Sequence, residues 1–315
     1  MILSGKAPRG EEPLVSVCVC TYKRSDMLER LLESLAKQIH EDFDIEVVVV
    51  DNDREGSARR CVETATRRHP SLRLRYSIEP CQGISFARNR SVAMACGEFL
   101  AFIDDDETAA PGWLAQHLRV LRQTGADAVF GPVLPVYVEG TPEWIVRGGF
   151  FERPRFASGT PIRYGDARCC NGMVRACWFN RPGGAVFDVG LAHSGGEDTA
   201  LFLDLEERGA RYVWCDEGCV SESVPLARQT VHWILERRLR SSTIYWRLRY
   251  QRCNGLARLA RSLEGLSFFL PFCLVGLALR VSGPLHSTLL LSRACKGLGR
   301  VLALSSIRLT GYRAR

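Results

Sequence analysis

Three carboxylates in a row, Asp104, Asp105 and Asp106, close the apolar run 99–103. Held side by side they repel one another, so a cation or solvent must offset their charge. A hard divalent ion, Mg2+ or Mn2+, suits carboxylate oxygens and commonly shares its shell with substrate phosphates. The competing reading is an acidic cap for a helix starting near Gly112, where negative charge is also favoured. A second acidic group, Asp51 and Asp53, closes the β-branched run 47–50. An acid there can accept hydrogen bonds from a ribose hydroxyl or a base, or can simply make a turn. The third acidic group, Glu197 and Asp198, follows Gly195 and Gly196. A carboxylate in the first turn of a helix stays ionised and can act as a general base, or it can be a cap and nothing more.

The elements that must hold these acids alternate between strand and helix. The run 15–20 ends in the polar turn TYKR at 21–24, and the segment 27–37 then places Leu28, Leu31, Leu32 and Leu35 at helical spacing. The unit recurs with strands at 47–50, 72–78 and 99–103 and helices at 58–68 and 113–122. Repeated βα alternation predicts an α/β fold, a mostly parallel central sheet flanked by helices. Ligands of such sheets gather beyond the carboxyl ends of the strands, and Thr21, Asp51 and Asp104 each directly follow a predicted strand. The fingerprint GxGxxG is missing around Asp51, which argues against a nicotinamide enzyme. The phosphate loop GxxxxGK[ST] is absent too, which argues against that class of nucleoside triphosphatase.

The segment 139–165 has no clear period and reads as a long irregular excursion, the kind of loop that often serves as a lid. Further on, 197–208 reads as a helix, 212–215 as a short strand and 230–250 as a long basic helix. Two apolar stretches follow, 263–279 and 285–291, flanked by Arg258, Arg261, Arg280, Arg293, Lys296 and Arg300. A spanning helix needs about 20 apolar residues, so the first stretch is borderline and the second too short. A membrane-embedded or interfacial segment beside a basic collar is the preferred reading over a buried helix pair.

The chain has 315 residues and 46% hydrophobic content, enough for a substantial core, and a formal charge of +7. Its basic excess starts at Arg228, and only Glu236 and Glu264 oppose it from there on. That suits phosphate-rich ligands or an anionic membrane better than nucleic acid, for which no groove-reading motif is seen. The thirteen cysteines show no repeated CxxC pairing and read as reduced thiols of a cytosolic domain. The polar, charged segment 1–13 reads as no secretory signal.

Taken together and in order, TYKR at 21–24, VVVVDND at 47–53, QGISFARNR at 82–90, FIDDDE at 102–107 and GGEDTALFLDL at 195–205 resemble the motifs of the family 2 inverting glycosyltransferases. The closest likeness is to bacterial exopolysaccharide enzymes of the succinoglycan type. The resemblance covers about two thirds of the chain, 15–219, and implies a GT-A fold, with a catalytic domain over 1–228 and a basic, apolar, membrane-associating region over 229–315.

It implies a nucleotide-sugar donor, favouring UDP, and Mn2+ or Mg2+ as cofactor. Thr21, Asp51 and Asp53 would hold the nucleoside, with Arg88 near the nucleotide or its diphosphate. Asp106 would bind metal directly, Asp104 would meet the ribose or a metal-bound water, and Asp105, the variable middle position, could still touch the donor. Asp198 would be the base and Glu197 would support the loop or the acceptor. Processive relatives carry QxxRW, whereas residues 229–233 read QTVHW, with His232 in place of the arginine. Arg237, Arg238 or Arg240 could then clamp the diphosphate, and Glu222 falls where relatives place a metal or diphosphate ligand. The expected acceptor is a lipid-linked saccharide at the cytoplasmic face of the bacterial inner membrane, met either peripherally or through a short embedded segment. Two competing functions are a sugar nucleotidyltransferase, which has no evident need for the Glu197 and Asp198 pair, and a non-catalytic nucleotide-sugar-binding module, which would not need to retain Asp106 and Asp198.

Overall fold

A computed structural model describes residues 14–38, 42–180 and 183–305; the segment 1–13, read above as no secretory signal, lies outside them. The first half alternates as its periodicity requires: β1 (Leu14–Thr21), α1 (Ser25–Ala36), β2 (Asp44–Asp51), α2 (Arg59–Arg68), β3 (Arg73–Ile78), α3 (Ile84–Met94) and β4 (Phe99–Asp104). β1 and β2 are apolar on both faces because helices cover both, and Val17, Val19, Val47 and Val49 are fully buried. α1 turns Leu28, Leu31, Leu32 and Leu35 into the same core.

After β4 come β5 (Glu107–Ala109), α4 (Trp113–Thr124), β6 (Ala128–Phe130), β7 (Val133–Tyr137), α5 (Glu143–Gly148), β8 (Pro161–Ile162), β9 (Asn171–Arg175) and α6 (Glu197–Glu207). The described chain finishes with β10 (Tyr212–Trp214), β11 (Val220–Val224), α7 (Val231–Tyr250), α8 (Gly255–Ala278) and α9 (Pro284–Leu302). The main sheet has the order β3-β2-β1-β4-β9-β6-β10-β8. Its β3-β2-β1-β4 half is parallel, whereas β9 runs antiparallel between β4 and β6. A smaller sheet has the order β5-β11-β7.

Two compact units emerge. One is formed by the chain up to Leu134 with Arg153–Ala192 and Glu197–Glu222, and the other by Pro135–Glu152, His193–Gly196 and the chain from Ser223 on. The excursion at 139–165 differs from the irregular lid expected of it. It contains α5 and β8, and Ile145 is fully buried in a cluster with Phe150 and Ile234. Its apolar residues pack singly rather than as a stripe, so they leave no period in the sequence.

In the second unit Gln229 of the QTVHW stretch is buried and donates from Nε2 to Thr141 Oγ1 and the Val224 carbonyl, both at 2.9 Å. Thr230 caps α7 by accepting from the Trp233 amide at 3.2 Å. The ring of Trp233 stacks on Phe151. All thirteen cysteines are free thiols.

Candidate active site

Strand register sets the first part of the site. In the parallel ladder Thr21 lies opposite Asp51 and Cys20 opposite Asp104, so the carboxyl ends of β1, β2 and β4 form one edge. The aspartates do not cap a helix, which removes the alternative weighed above. Asp104 ends β4, a turn carries Asp105 and Asp106, β5 follows, and α4 has Gly112 as its own N-cap.

The three carboxylates face different partners. Asp105 is the inward one, accepting from Thr21 Oγ1 at 2.8 Å and pairing with Arg24 at 3.1 Å. Burial pushes its carboxyl up to about 6, against the pull of Arg24 and Thr21. Asp106 meets Arg24 at 3.3 Å. Asp104 meets Arg88 at 3.3 Å and keeps 44% of its side chain exposed. Its carboxyl is raised above the ordinary range, first by partial loss of hydration and then by Asp106, Glu222 and Asp198, with Arg88 opposing. Four acids therefore share one neighbourhood.

Arg88 joins this edge to α6. It is buried on α3, contacts Asp104 through one guanidinium nitrogen and Glu197 through the other, and lies 5.6 Å over the ring of Phe187. Gly195 and Gly196 both take left-handed backbone (φ 80° and 88°), and Ile244 packs where a side chain on Gly196 would project. The chain can turn sharply there into α6, whose first turn holds Glu197 and Asp198. Glu197 is buried, its Oε2 has no hydrogen-bond partner, and burial raises its carboxyl to about 7 despite Arg88. Asp198 is half-buried, and its Oδ1 accepts from the Thr199 amide at 2.6 Å.

Other expected residues sit differently. Asp51, expected at the nucleoside, is fully buried and committed within the protein. Its oxygens accept from the amides of Asp53 (3.0 Å) and Ala58 (2.7 Å) and from the Tyr76 hydroxyl (2.9 Å). It shapes the loop that carries Asp53, which is itself 7% exposed. Thr21, 3% exposed, turns its hydroxyl to Asp105. Glu222 lies on β11 directly opposite Glu107 of β5. Arg237 and Arg238 are engaged within the second unit, Arg237 over the Trp233 ring at 5.1 Å and Arg238 donating to the Phe150 carbonyl at 3.4 Å.

Four contributors went unassigned from sequence. Arg24, the last residue of TYKR, pairs with two of the aspartates. Asn52 donates to the carbonyls of Glu79 and Cys81 and accepts from the Gly83 amide at 2.7 Å, fixing the loop ahead of α3. Glu107 is buried behind the cluster, accepts from the Asp104 amide at 2.9 Å, and is held well above the ordinary range, chiefly by burial. Arg153 donates to Cys170 Sγ at 2.9 Å, and its charge is felt by Glu107. Arg24, Asn52 and Glu107 lie inside recognisable motifs, whereas Arg153 sits in the aperiodic excursion and leaves no signal.

Among the described residues no three acidic, His or Cys side chains converge tightly enough to enclose an ion by themselves. The donor chemistry nevertheless fits a hard cation that takes one or two protein carboxylates and completes its shell with phosphate oxygens and water. Asp104 and Asp106 flank Asp105, and the charge of Asp106 adds to the burial that raises the Asp104 carboxyl.

Comparison with known proteins bears on the family and the fold. The sequence model for glycosyl transferase family 2 matches residues 16–180. Over 243 residues the chain is 37% identical to succinoglycan biosynthesis protein ExoM of Rhizobium meliloti, covering 77% of each. It is 22% identical over 198 residues to UDP-Glc:alpha-D-GlcNAc-diphosphoundecaprenol beta-1,3-glucosyltransferase WfaP of Escherichia coli, covering 63% of this chain and 72% of the relative. Among solved structures, the mannosyltransferase PcManGT of Pyrobaculum calidifontis, in complex with GDP-Man and Mn2+, superposes with a TM-score of 0.59 at 21% identity. That match covers 95% of this chain and 88% of the other.

Proposed function

The chain belongs to glycosyl transferase family 2, and from that premise we propose that it transfers a sugar, with inversion, from a UDP-sugar to a lipid-linked saccharide in cell-surface polysaccharide synthesis. The observation that carries this reading is the span of Arg88 from Asp104 to Glu197. It brings the aspartate turn, where a nucleoside diphosphate would bind, beside the first turn of α6, where a base would work. The GT-A fold supplies the frame.

In the proposed reaction Asp198 accepts the proton of an acceptor hydroxyl as that oxygen forms a bond to the anomeric carbon from the face opposite the diphosphate. The bond from that carbon to the diphosphate oxygen breaks, and a single displacement inverts the configuration. Asp106 and Asp104 would hold Mn2+ or Mg2+, which would supply positive charge to offset that growing on the diphosphate leaving group. Asp53 and Asp105 border the nucleoside side, with Thr21 and Asp51 holding them in place. Arg88 fixes Asp104 and Glu197, while Glu222, Arg237 and Arg238 are the remaining candidates for diphosphate or acceptor contacts. A lipid-linked acceptor is supported by the diphosphoundecaprenol acceptor in the name of the Escherichia coli relative and by the apolar α8. The proposed site of action is the cytoplasmic face of the inner membrane.

The test is incubation of the full chain with UDP-sugars, Mn2+ or Mg2+ and a bacterial lipid extract. Release of UDP with label appearing in the lipid fraction supports the reading. Pyrophosphate release would point to a nucleotidyltransferase, and absence of turnover with every donor would point to a binding module.

A further inference from the structure

We infer that α8 lies along the surface of one anionic leaflet, in the plane of the membrane, and does not cross it. The inference rests on the lipid-linked acceptor proposed above and specifies how the chain meets its membrane. By length and composition α8 is able to span, and most of it is exposed. Its surface and its packing argue otherwise.

Leu256, Leu259, Leu263, Leu266, Leu270 and Leu274 are spaced three or four apart and are 39–81% exposed, forming a stripe that ends at Val281, 94% exposed, with Phe268, Val275 and Leu277 also exposed on the second half of the helix. At 1.5 Å per residue that stripe is about 38 Å long. It begins among Arg258, Arg261 and Glu264, and Arg280 stands at its other end. The uncharged run from Gly265 to Leu279 measures only about 22 Å, against about 30 Å of hydrocarbon. Standing upright, α8 would either draw charges into the bilayer or leave Leu256 and Leu259 in water.

The return helix α9 decides the orientation. It runs antiparallel against α8: Ser262 bonds the Arg300 carbonyl at 3.3 Å, Gly265 faces Gly297 and Gly276 faces Leu291. The Arg293 guanidinium sits 5.7 Å over the ring of Phe272, halfway along the uncharged run of α8. An upright pair would hold this cation, with Lys296 beyond it, at hydrocarbon depth, where charge is costly. Laid flat, the leucine stripe enters the acyl boundary while Arg258, Arg261, Arg280, Arg293 and Lys296 stay at headgroup level. Glu264 is the one carboxylate in the chain after Glu236, so the surface complements anionic lipid.

The experiment uses the full chain with phosphatidylcholine vesicles, with and without phosphatidylglycerol. Tryptophan is placed in turn at Leu256, Leu263, Leu274 and Val281, and quenching by lipids brominated at different depths is read over the constant background of the six native tryptophans. The expected result is flotation with anionic vesicles and one shallow depth at all four positions. R258Q/R261Q should weaken binding to anionic vesicles by about 30-fold, at roughly 1 kcal/mol per arginine, with no change on neutral ones. Depth that peaks at Leu263 and Leu274 and returns to the surface at Val281 would overturn the inference in favour of a spanning helix. No quenching with a doubled mass in solution would overturn it in favour of α8 pairing between two copies. UDP release by a chain that does not float removes the membrane inference alone, whereas flotation without UDP release removes the proposed transfer alone.

Discussion

Arg88 and Glu197 are 109 positions apart in the chain, yet the guanidinium of one closes on the carboxylate of the other in a buried contact that also reaches Asp104. The pair ties α3 to the start of α6. Removing the cation alone would leave Glu197 buried with neither oxygen satisfied, since its Oε2 already lacks a partner. Arg88→Met should therefore cost about 3–5 kcal/mol of stability, and the double variant R88M/E197Q should recover most of it. Denaturant unfolding of both variants checks this, and equal losses in the two would remove the pairing as the cause.

The same glutamate predicts a pH dependence. Its carboxyl is raised from 4.5 to about 7, mainly by burial. A group raised on folding favours the folded state fully below its unfolded value and loses that contribution as pH climbs through the folded one. Wild type should accordingly lose stability relative to Glu197→Gln between about pH 5 and about pH 8. Melting curves of the two proteins across that range should diverge upward in pH, and parallel curves would contradict the raised value.

Asp198 is the proposed base because it is half-buried in the first turn of α6, where its Oδ1 is held by the amide and hydroxyl of Thr199. Asp198→Asn should lower kcat by at least about 100-fold and leave UDP binding within a factor of about two, since the proton acceptor is lost and the donor site is kept. Turnover close to wild type would take Asp198 out of that role.

Adjacent aspartates should fail in different ways. Asp106→Ala should cost at least about 100-fold in kcat, as expected where a cation supplies several kcal/mol to the leaving group, with little change in melting temperature. Asp105→Ala should instead lower stability by about 1–3 kcal/mol, because it strands the buried Thr21 hydroxyl and one side of Arg24. Metal titration followed by melting of each variant separates the two effects.

Much of this was legible in sequence where burial is uniform. The valine-rich runs of β1 and β2 and the leucines of α1 announce strands and helix because one physical demand, burial, fixes every position. α3 was not legible. The residues it buries are Ser85, Ala87, Arg88 and Ser91, small or polar, so no apolar stripe marks it. The antiparallel insertion of β9 was equally hidden, because residue types do not encode strand direction. Asp51 and Asp53 look equivalent in VVVVDND, and only the structure shows Asp51 turned inward to three donors. Arg153 approaches the acids from a segment without a period, where nothing local distinguishes it from a surface arginine.

The helix pair α8 and α9 offers a test independent of catalysis. Gly265 and Gly297 lie face to face, and a methyl on Gly265 would come within 2.6 Å of the Gly297 carbonyl oxygen, a backbone atom that cannot rotate away. Both helices would have to separate, which would also strain the Ser262 bond to the Arg300 carbonyl and the Glu264 pairing with Arg300. Gly265→Ala is therefore destabilising although alanine is the better helix former by about 1 kcal/mol, because overpacking against backbone costs about 1–3 kcal/mol. Gly255→Ala on the same helix is the control: nothing lies within 4 Å of its added carbon, so it should be neutral or slightly stabilising. Thermal unfolding that ranks the Gly265 variant below wild type and the Gly255 variant at or above it supports the close approach, and the reverse order would mean that the helices are not packed this tightly.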